Sequence, residues 1–315
     1  MTRATPVPRR TLLRAGAALT AAAAATSAAP AFAAPNGPAA LRPELAVPNG
    51  PAALRPELAA LEKRYGARLG VYAHNTRTGA TVAYRADEPF AMCSTFKAIA
   101  AAAVLRDFGG RAALGEVIHY PPADILSNSE HTKAHQETGM ALGDVCAAAI
   151  QYSDNTAGNL MLRRIGGPAG LTRFFRSLGD RVSRLDRWET DLNTAVPGDP
   201  RDTTTPRALG RTFELLTLGR ALSQGDREQL VGWLRGNTTS THRFGAGLPS
   251  DWVLADKTGT GSYATANDLG VAWTGRGTPL LLSVLSTKPE PDAPVDEALI
   301  EETARLLAAT LAPGE

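Results

Sequence analysis

Residues 91–100 read AMCSTFKAIA, and the alanine-rich run AAAVL follows them. This composition is typical of a buried helix, yet Ser94 and Lys97 lie three positions apart at its start. Residues three apart are neighbours on one helix face, so the hydroxyl and the amine are predicted to be adjacent. A lysine on an apolar helix face is unfavourable unless other groups compensate its charge. The pair is therefore either an ordinary helix with a lysine that reaches solvent, or a nucleophile with a base within reach.

Two more polar motifs occur further along the chain. Ser153 and Asn155, in QYSDNTAGNLML, precede an apolar helical run. Lys257, Thr258 and Gly259, in DKTGTGS, end a β-rich run. Taken alone, the first motif is typical of a helix N-cap, and the second of a strand that leaves through a glycine turn. Only their combination with the first motif points to chemistry.

The composition is that of an ordinary globular protein, with 315 residues, of which 43% are hydrophobic and 20% charged. A chain of this length can bury a sizeable core without a metal or a disulfide. The formal net charge is +2, and four arginines but no acidic residue fall within the first 33 residues, so the remainder carries −2. This balance excludes nucleic acid and anionic membranes as expected partners.

Residues 1–33 have the pattern of an export signal. Arginines come first, an apolar run follows at 15–25, and SAAPAFAA then offers a small-residue cleavage site near Ala33. The alternative is a membrane anchor, for which the apolar run is short. The paired arginines in PRRTLLRAG suggest the twin-arginine route rather than the general secretory route. We therefore expect a secreted protein with no membrane attachment after processing.

The segment 35–46 reads PNGPAALRPELA and is repeated letter for letter at 48–59. Two copies do not make a solenoid, which needs three or more. Because Pro and Gly are frequent in it, we expect 34–56 to be a disordered leader and 57–315 to be the folded domain. The second copy continues into ELAALEKRYGARLG, whose apolar spacing predicts a helix.

Strand-like sequences lie at both ends of this domain. LGVYAHNTRTGATVAYRA predicts a hairpin near the start, and WVLADKTG, ANDLGVAWTG and PLLLSVLSTK predict three strands near the end, before a last helix at 295–311. The fold class is therefore α/β, of the α+β type, with an antiparallel sheet built from both chain termini and covered by helices. We expect an α/β lobe at about 57–90 and 240–315 and an all-helical lobe at about 91–239. A ligand site is expected between the lobes.

In chain order, S-x-x-K, S-D-N and K-T-G resemble the motifs of class A serine β-lactamases and penicillin-binding proteins. The resemblance runs from about Leu58 to the C-terminus and is strongest to class A enzymes of the actinobacterial type, with an arginine before K-T-G. A fourth motif, RWETDLN, matches the class A loop in which Glu189 and Asn193 hold the water that releases the acyl-enzyme. Arg187 and Asp202 match the ion pair that closes this loop.

The resemblance implies hydrolysis of the β-lactam amide bond, and hence antibiotic resistance, through an acyl-enzyme on the serine. The implied catalytic residues are Ser94, Lys97, Ser153, Glu189 and Asn193. The implied substrate-binding residues are Asn155, Lys257, Thr258, Gly259, Thr260 and Arg243. Either the lysine or the glutamate serves as the acylation base, and backbone N–H groups of Ser94 and Thr260 form the oxyanion hole.

The resemblance implies small-molecule β-lactam substrates, a monomer, and neither a cofactor nor a metal. The five histidines show no paired ligand spacing. Arg243, in NTTSTHRFGAGLP, is expected to bind the substrate carboxylate bidentately, because SYATAND after the third motif contains no arginine.

The sequence departs from the family pattern at two places. Asn128 stands where members often have an aromatic residue at the mouth of the site. Some relatives bridge the cysteine before the nucleophile to a cysteine after K-T-G, but here the second position is Gly261. We expect Cys93 and Cys146 to be free, with a bridge between them as the alternative.

Two other functions share these motifs. A D-alanyl-D-alanine peptidase or penicillin-binding protein would have the same fold, but the RWETDLN loop argues against it. A β-lactam sensor without catalytic turnover would normally carry a transmembrane segment after the signal. Both alternatives would form the acyl-enzyme once and stop.

Overall fold

The computed structural model describes residues 54–108 and 110–315. Its strands are β1 (Arg68–Asn75), β2 (Thr81–Tyr84), β3 (Phe90–Ala91), β4 (Val117–Ile118), β5 (Met140–Ala141), β6 (Thr203–Thr204), β7 (Val253–Gly261), β8 (Thr265–Trp273) and β9 (Pro279–Thr287). Five of them form an antiparallel sheet in the order β2-β1-β9-β8-β7. The predicted sheet from both ends of the domain is therefore confirmed.

The helices are α1 (Arg55–Tyr65), α2 (Phe96–Phe108), α3 (Arg111–Leu114), α4 (Glu130–Ala134), α5 (Leu142–Gln151), α6 (Asn155–Arg164), α7 (Gly167–Ser177), α8 (Pro206–Thr217), α9 (Gln224–Arg235), α10 (Phe244–Gly247) and α11 (Glu297–Leu311). Most of α2 to α9 form the helical lobe, as the sequence predicted. Among the described residues, no helix combines the length and the apolar character needed to span a membrane.

The sheet separates two apolar cores. Strand β9 reads PLLLSVLST without polar alternation because both of its faces are covered. Leu280 and Leu282 face the core shared with α1 and α11, whereas Leu281 and Leu285 face the core shared with α2 and α8. At the edge of this sheet, β7 lies against the turn Cys93–Thr95, which leads into α2.

Helix α1 packs beside α11 on the outer face of the sheet. Arg64 and Tyr65, at the end of α1, both donate to the carboxylate of Glu302 near the start of α11. Leu54 is fully buried and α1 begins at Arg55, so residues 54–56 of the range 34–56 assigned to the leader belong to the folded domain. The predicted signal 1–33 and the rest of the leader lie outside the described residues.

Two short strand pairs within the helical region were not predicted. β3 pairs with β6, through Phe90 with Thr204 and Ala91 with Thr203, and β4 pairs with β5. Strands of two residues carry no periodic signal, so the sequence pattern could not indicate them. The β3–β6 pair holds the end of the RWETDLN loop beside the segment that leads to Ser94.

Candidate active site

A cavity of about 380 Å³ opens between the helical lobe and strand β7. Both lobes contribute to its wall, as expected for a site between them. The residues that line it are Ser94, Asn128, Tyr152, Ser153, Asn155, Asn193, Thr239, Arg243, Thr258, Gly259, Thr260 and Glu297. Residues from all four sequence motifs therefore meet at one place.

Ser94 lies in a 3-10 turn, Cys93–Thr95, that leads directly into α2. The segment before this turn is held from two sides. Asn267 Nδ2, on β8, donates to the carbonyl oxygens of Ala91 and Met92 at 2.9 and 3.2 Å. The backbone N–H of Met92 donates to the Asp202 carbonyl at 2.9 Å. These bonds position the Ser94 hydroxyl at the floor of the cavity.

Lys97 is fully buried in the first turn of α2, and its ammonium group is well compensated. Its Nζ lies 2.9 Å from Glu189 Oε1 and donates to Asn155 Oδ1 at 2.7 Å and to the Ser153 carbonyl at 2.8 Å. Three acceptors match the three donors of an ammonium group. A Cβ at Gly158 would lie 2.8 Å from Lys97 Cε, so this glycine leaves room for the lysine stem.

Glu189 connects the nucleophile to the loop. Ser94 Oγ donates to Glu189 Oε1 at 3.3 Å, and Asn193 Nδ2 donates to Oε2 at 2.5 Å. Asn193 Oδ1 is buried without a hydrogen-bond partner among the described residues. A buried amide oxygen in a polar cavity favours an ordered water molecule as its donor.

The backbone of Glu189 is fixed by Asn159, one turn beyond Asn155 on α6. Asn159 Nδ2 donates to the Glu189 carbonyl, and Asn159 Oδ1 accepts from the Glu189 N–H, both at 3.0 Å. This residue was not predicted as part of the site, although its i+4 spacing from Asn155 places it on the same helix face. The side chain of Glu189 thereby acquires a defined direction toward Ser94.

The base of the loop is closed by a buried acid. Asp202 is fully buried and lies 2.6 Å from Arg187 Nε, which is the ion pair that the family resemblance implied. Its other oxygen accepts from the backbone N–H groups of Asp186 and Arg187 at 2.7 and 2.9 Å. With β3–β6, this cluster ties both ends of the loop together.

Strand β7 supplies the opposite wall of the cavity. Lys257 is fully buried, and its Nζ donates to the Thr258 carbonyl at 2.9 Å. Burial and, to a smaller extent, the nearby charge of Lys97 together lower the pKa of Lys257 to about 7. The Thr258 hydroxyl is hydrogen-bonded to that of Thr239. This end of the cavity therefore offers hydroxyls and cationic groups suited to a carboxylate.

Arg243 is 3% exposed and lies across the end of this strand. Nη1 donates to the carbonyls of Gly259 and Asn267, both at 2.9 Å, and Nη2 donates to Thr260 Oγ1 at 2.7 Å. Nε donates to Glu297 Oε1 at 3.2 Å. A guanidinium has five N–H groups, so one N–H on Nη2 remains for a ligand. The sequence-based expectation of a bidentate grip on a carboxylate does not agree with this count.

Behind Lys257, strands β7 and β8 bury two acids, Asp256 and Asp268. Asp256 Oδ2 and Asp268 Oδ1 have no hydrogen-bond partner among the described residues when both groups are taken as carboxylates. Burial raises the pKa of both acids, and the charge of Asp256 raises that of Asp268 further. A proton held between the two acids would give both oxygens a partner, which is the arrangement that two buried neighbouring carboxyl groups favour.

The chain is similar to known proteins over most of its length. The family model described as the β-lactamase enzyme family matches residues 53–311. A β-lactamase from Streptomyces lavendulae is 48% identical over 309 residues, covering 96% of this chain and 97% of the relative. The chain belongs to the β-lactamase enzyme family. The motif-based recognition is therefore confirmed.

Solved structures agree with this family assignment. The β-lactamase from Streptomyces albus G has a TM-score of 0.80 and 52% identity, covering 82% of this chain and 99% of that chain. A β-lactamase from Desulfarculus baarsii has the same TM-score with 46% identity, covering 82% and 97%. The α/β architecture of this β-lactamase family member is thus shown by its neighbours as well as by its own sheet.

The mouth of this β-lactamase family site contains an aromatic group that the sequence analysis missed. Tyr152 is 41% exposed, lines the cavity and stacks on His131, with ring centroids 3.7 Å apart. Asn128, where relatives often carry an aromatic residue, also lines the cavity and donates through Nδ2 to the Ser153 carbonyl at 3.0 Å. Tyr152 directly precedes the S-D-N motif, but its stacking partner lies on another element.

Cys93 and Cys146 are both free and buried in this β-lactamase family member, and burial raises the pKa of each thiol. A Cβ at Gly261 would lie 2.8 Å from Cys93 Sγ, which places the two positions side by side. Among the described residues, no three His, Cys, Asp or Glu side chains are arranged to hold a metal ion.

Proposed function

We propose that this protein is a class A serine β-lactamase that hydrolyses the β-lactam amide bond through an acyl-enzyme on Ser94. One observation carries the proposal. Lys97 Nζ and Ser94 Oγ both contact Glu189 Oε1, at 2.9 and 3.3 Å, while Asn193 holds Oε2. Ser94 thus has two candidate bases, Lys97 and Glu189, for acyl transfer. Glu189 is also placed to assist a second step, in which water hydrolyses the acyl-enzyme.

In the acylation step, Ser94 Oγ attacks the lactam carbonyl and transfers its proton to Lys97 or Glu189. The N–H groups of Ser94 and Thr260 stabilise the oxyanion, and one such donor is worth about 10²–10³ in rate. Ser153 Oγ lies 3.4 Å from Lys97 Nζ, so it gives its proton to the departing ring nitrogen and takes a replacement proton from Lys97. The C–N bond breaks and an ester to Ser94 remains.

In the deacylation step, a water molecule attacks this ester. Glu189 accepts one proton from the water, and the unpartnered Asn193 Oδ1 accepts a hydrogen bond from the same water. The ester bond breaks, and Ser94 regains its proton as the opened drug leaves. General-base assistance of this kind contributes about 10²–10⁴-fold.

The ring carboxylate of the drug binds at the β7 end of the cavity. Thr258, Thr260 and Arg243 line this end, and Lys257 lies buried behind them. Asn155 Nδ2 donates to the Ser127 carbonyl at 2.8 Å, and Gly259 presents strand backbone. Asn155 and Gly259 border the space for the acylamino side chain of the drug.

The first experiment tests turnover with a chromogenic cephalosporin and purified protein that lacks residues 1–33. Hydrolysis of many equivalents per protein molecule is expected. A single stoichiometric burst would instead support the peptidase or the sensor, since both form the acyl-enzyme and retain it. If the protein shows neither turnover nor a burst, the assignment of Ser94 as an acyl acceptor is overturned.

The second experiment separates the two chemical steps. Glu189→Ala, mixed with a penicillin, is expected to gain the mass of one drug molecule on Ser94 and then nearly stop, because deacylation loses its base while Lys97 still assists acylation. Intact-protein mass spectrometry detects the adduct within minutes. Ser94→Ala is the matched control and should gain no mass. Turnover of Glu189→Ala at the wild-type rate without an adduct would contradict the proposed role.

We also propose that residues 1–33 direct secretion of a monomeric enzyme through the twin-arginine route. Arg9→Lys combined with Arg10→Lys is expected to abolish extracellular activity, because that route reads paired arginines. Undiminished secretion would instead assign export to the general secretory route. Elution of the mature chain at twice its mass in size-exclusion chromatography would contradict the monomer.

A further inference from the structure

Glu297 occupies an unusual position for an acidic side chain in a cavity proposed to bind anions. It is the first residue of α11, its side chain is 37% exposed, and it lines the cavity beside Arg243. Among the twelve described residues that line the cavity, Glu297 is the one carboxylate and Arg243 the one guanidinium. In the free protein, therefore, the charge of Arg243 at this end is already balanced by a neighbour.

A purely structural role does not account for this placement. A carboxylate at the start of α11 stabilises the helix dipole, but this effect would operate equally if the side chain faced away from the cavity. Nor does Arg243 need Glu297 for its position, because Gly259, Asn267 and Thr260 already accept from its terminal nitrogens. The carboxylate thus places negative charge where the ligand carboxylate arrives.

The effect of the Glu297 charge on drug binding depends on the chemical group that lies beside the carboxylate of the drug. In a cephalosporin the carboxylate is on C4 and the variable substituent is on the neighbouring carbon, C3. When the carboxylate meets Thr258, Thr260 and Arg243, the C3 substituent lies beside it at the same end of the cavity. A positive charge on that substituent gains an attraction to Glu297, and a neutral substituent gains none.

We propose that Glu297 is a specificity-determining residue that favours cephalosporins with a positively charged substituent beside the ring carboxylate. This inference rests on the proposed β-lactamase function. It assigns a selectivity between two members of one drug class, and it leaves the chemical steps on Ser94 unchanged. Penicillins carry methyl groups in place of this substituent, so Glu297 provides no such advantage for them.

The test compares cephaloridine with cephalothin, which share the thienylacetyl side chain and differ only in pyridinium against acetoxy at C3. The ratio of their kcat/KM values is measured for the wild type, Glu297→Gln and the control Glu301→Gln, whose side chain pairs with Arg305 on the same helix. Because each variant is assayed with both drugs, the difference in intrinsic reactivity between the drugs cancels when the ratios of the variants are compared.

The expected result is a fall in the cephaloridine-to-cephalothin ratio of about two- to five-fold in Glu297→Gln, the range for a partly exposed ion pair. The ratio should be unchanged in Glu301→Gln. In the wild type it should decrease as salt rises from 0.01 to about 0.5 M, because mobile ions screen exposed charges. The KM of cephalothin should fall in Glu297→Gln, since Arg243 is then free of its competing carboxylate.

An unchanged ratio in Glu297→Gln would overturn the inference. A salt-independent ratio in the wild type would overturn it as well, and this second measurement does not depend on the folding of any variant. A proportional loss for both drugs, together with a lower melting temperature, would assign Glu297 to helix stability alone. If the wild type turns over neither drug, the proposed function itself fails, and this outcome is distinct from a failure of the selectivity.

Discussion

Arg243 Nη2 donates to Thr260 Oγ1 at 2.7 Å, so the threonine oxygen is an acceptor and its own proton remains available for another group. Thr260 and Arg243 both line the cavity. A carboxylate bound there meets the Thr260 proton and the last N–H of Arg243 together. We therefore expect the ring carboxylate to bind the Thr260 hydroxyl and the Arg243 guanidinium together.

Arg243→Ala is expected to raise the KM for penicillins more than Thr260→Ala does. The first change removes a charged hydrogen bond, worth about 1.5–3 kcal/mol, and the second removes a neutral one, worth about 0.5–1.5 kcal/mol. Thr260→Ser should retain wild-type KM. Because the two groups are in contact, the double variant should lose less than the sum of the singles. Additive losses in steady-state kinetics would show that they bind the drug independently.

The lowered pKa of Lys257, about 7, predicts opposite pH trends for activity and stability. As pH rises through 7 the lysine loses its charge, so kcat/KM for a carboxylated drug should decline on the alkaline side. Lys257→Arg stays charged and should shift that decline to higher pH. An unshifted alkaline limb in this variant would assign the decline to another group.

Stability should follow the reverse trend over the same range. An unfolded lysine has a pKa near 10.4, so between pH 7 and about 10 the unfolded state binds more protons than the folded state. The contribution of Lys257 to the free energy of unfolding therefore increases with pH in this window. Urea denaturation at several pH values measures it, and Lys257→Met, which cannot titrate, should lack this contribution.

Tyr152 is expected to contact the acylamino side chain of the drug. Tyr152→Ala should lower kcat/KM for benzylpenicillin by about two- to ten-fold, the range for one aromatic contact. It should leave 6-aminopenicillanic acid, which lacks the side chain, nearly unchanged. Tyr152→Phe keeps the ring and is the matched control. An equal loss for both substrates would mean that the ring supports Ser153 instead.

The start of the described structure at Leu54 and α1 predicts which part of the N-terminal segment can be deleted without loss of stability. Deletion of 35–46, which lies outside the described residues, is expected to leave the melting temperature and activity unchanged. Leu58→Ala removes a fully buried side chain and should reduce the free energy of unfolding by about 2–5 kcal/mol. Lys63→Ala, on the exposed face of the same helix, should change it little. A melting temperature lowered by more than a few degrees in the deletion would show that the first copy packs on the fold.

The sequence predicted the parts of the site that are contiguous along the chain. Ser94 and Lys97 lie three positions apart where the chain enters α2, and strand β7, which contains Thr258, and strand β1, which begins at Arg68, each carry a local apolar pattern. Such features depend on neighbouring residues, which a sequence displays directly. The order of the motifs then placed them in one family, and through it in one cavity.

The missed features all depend on contacts between distant elements. Glu297 meets Arg243 only because α11 packs against α10, whose N-cap residue is Arg243. His131 on α4 meets Tyr152 at the end of α5. Nothing in the residue Glu297 itself distinguishes it from an ordinary acid at a helix start. The donor count of Arg243 was also out of reach, because two of its acceptors are backbone carbonyls that any residue could supply.

Strand β1 lies between β2 and β9, with Arg68 opposite Thr287. Because β1 is synthesised early and β9 late, β1 cannot complete its strand pairing until β9 has been synthesised. At a synthesis rate of about 5–20 residues per second, this interval is roughly 10–40 s. During that time β1 has only its hairpin partner, and one edge of it stays open to other chains. Folding is then dominated by distant contacts and is slow for a chain of its size. The nascent polypeptide thus depends on being kept apart from its copies until the last two strands are released.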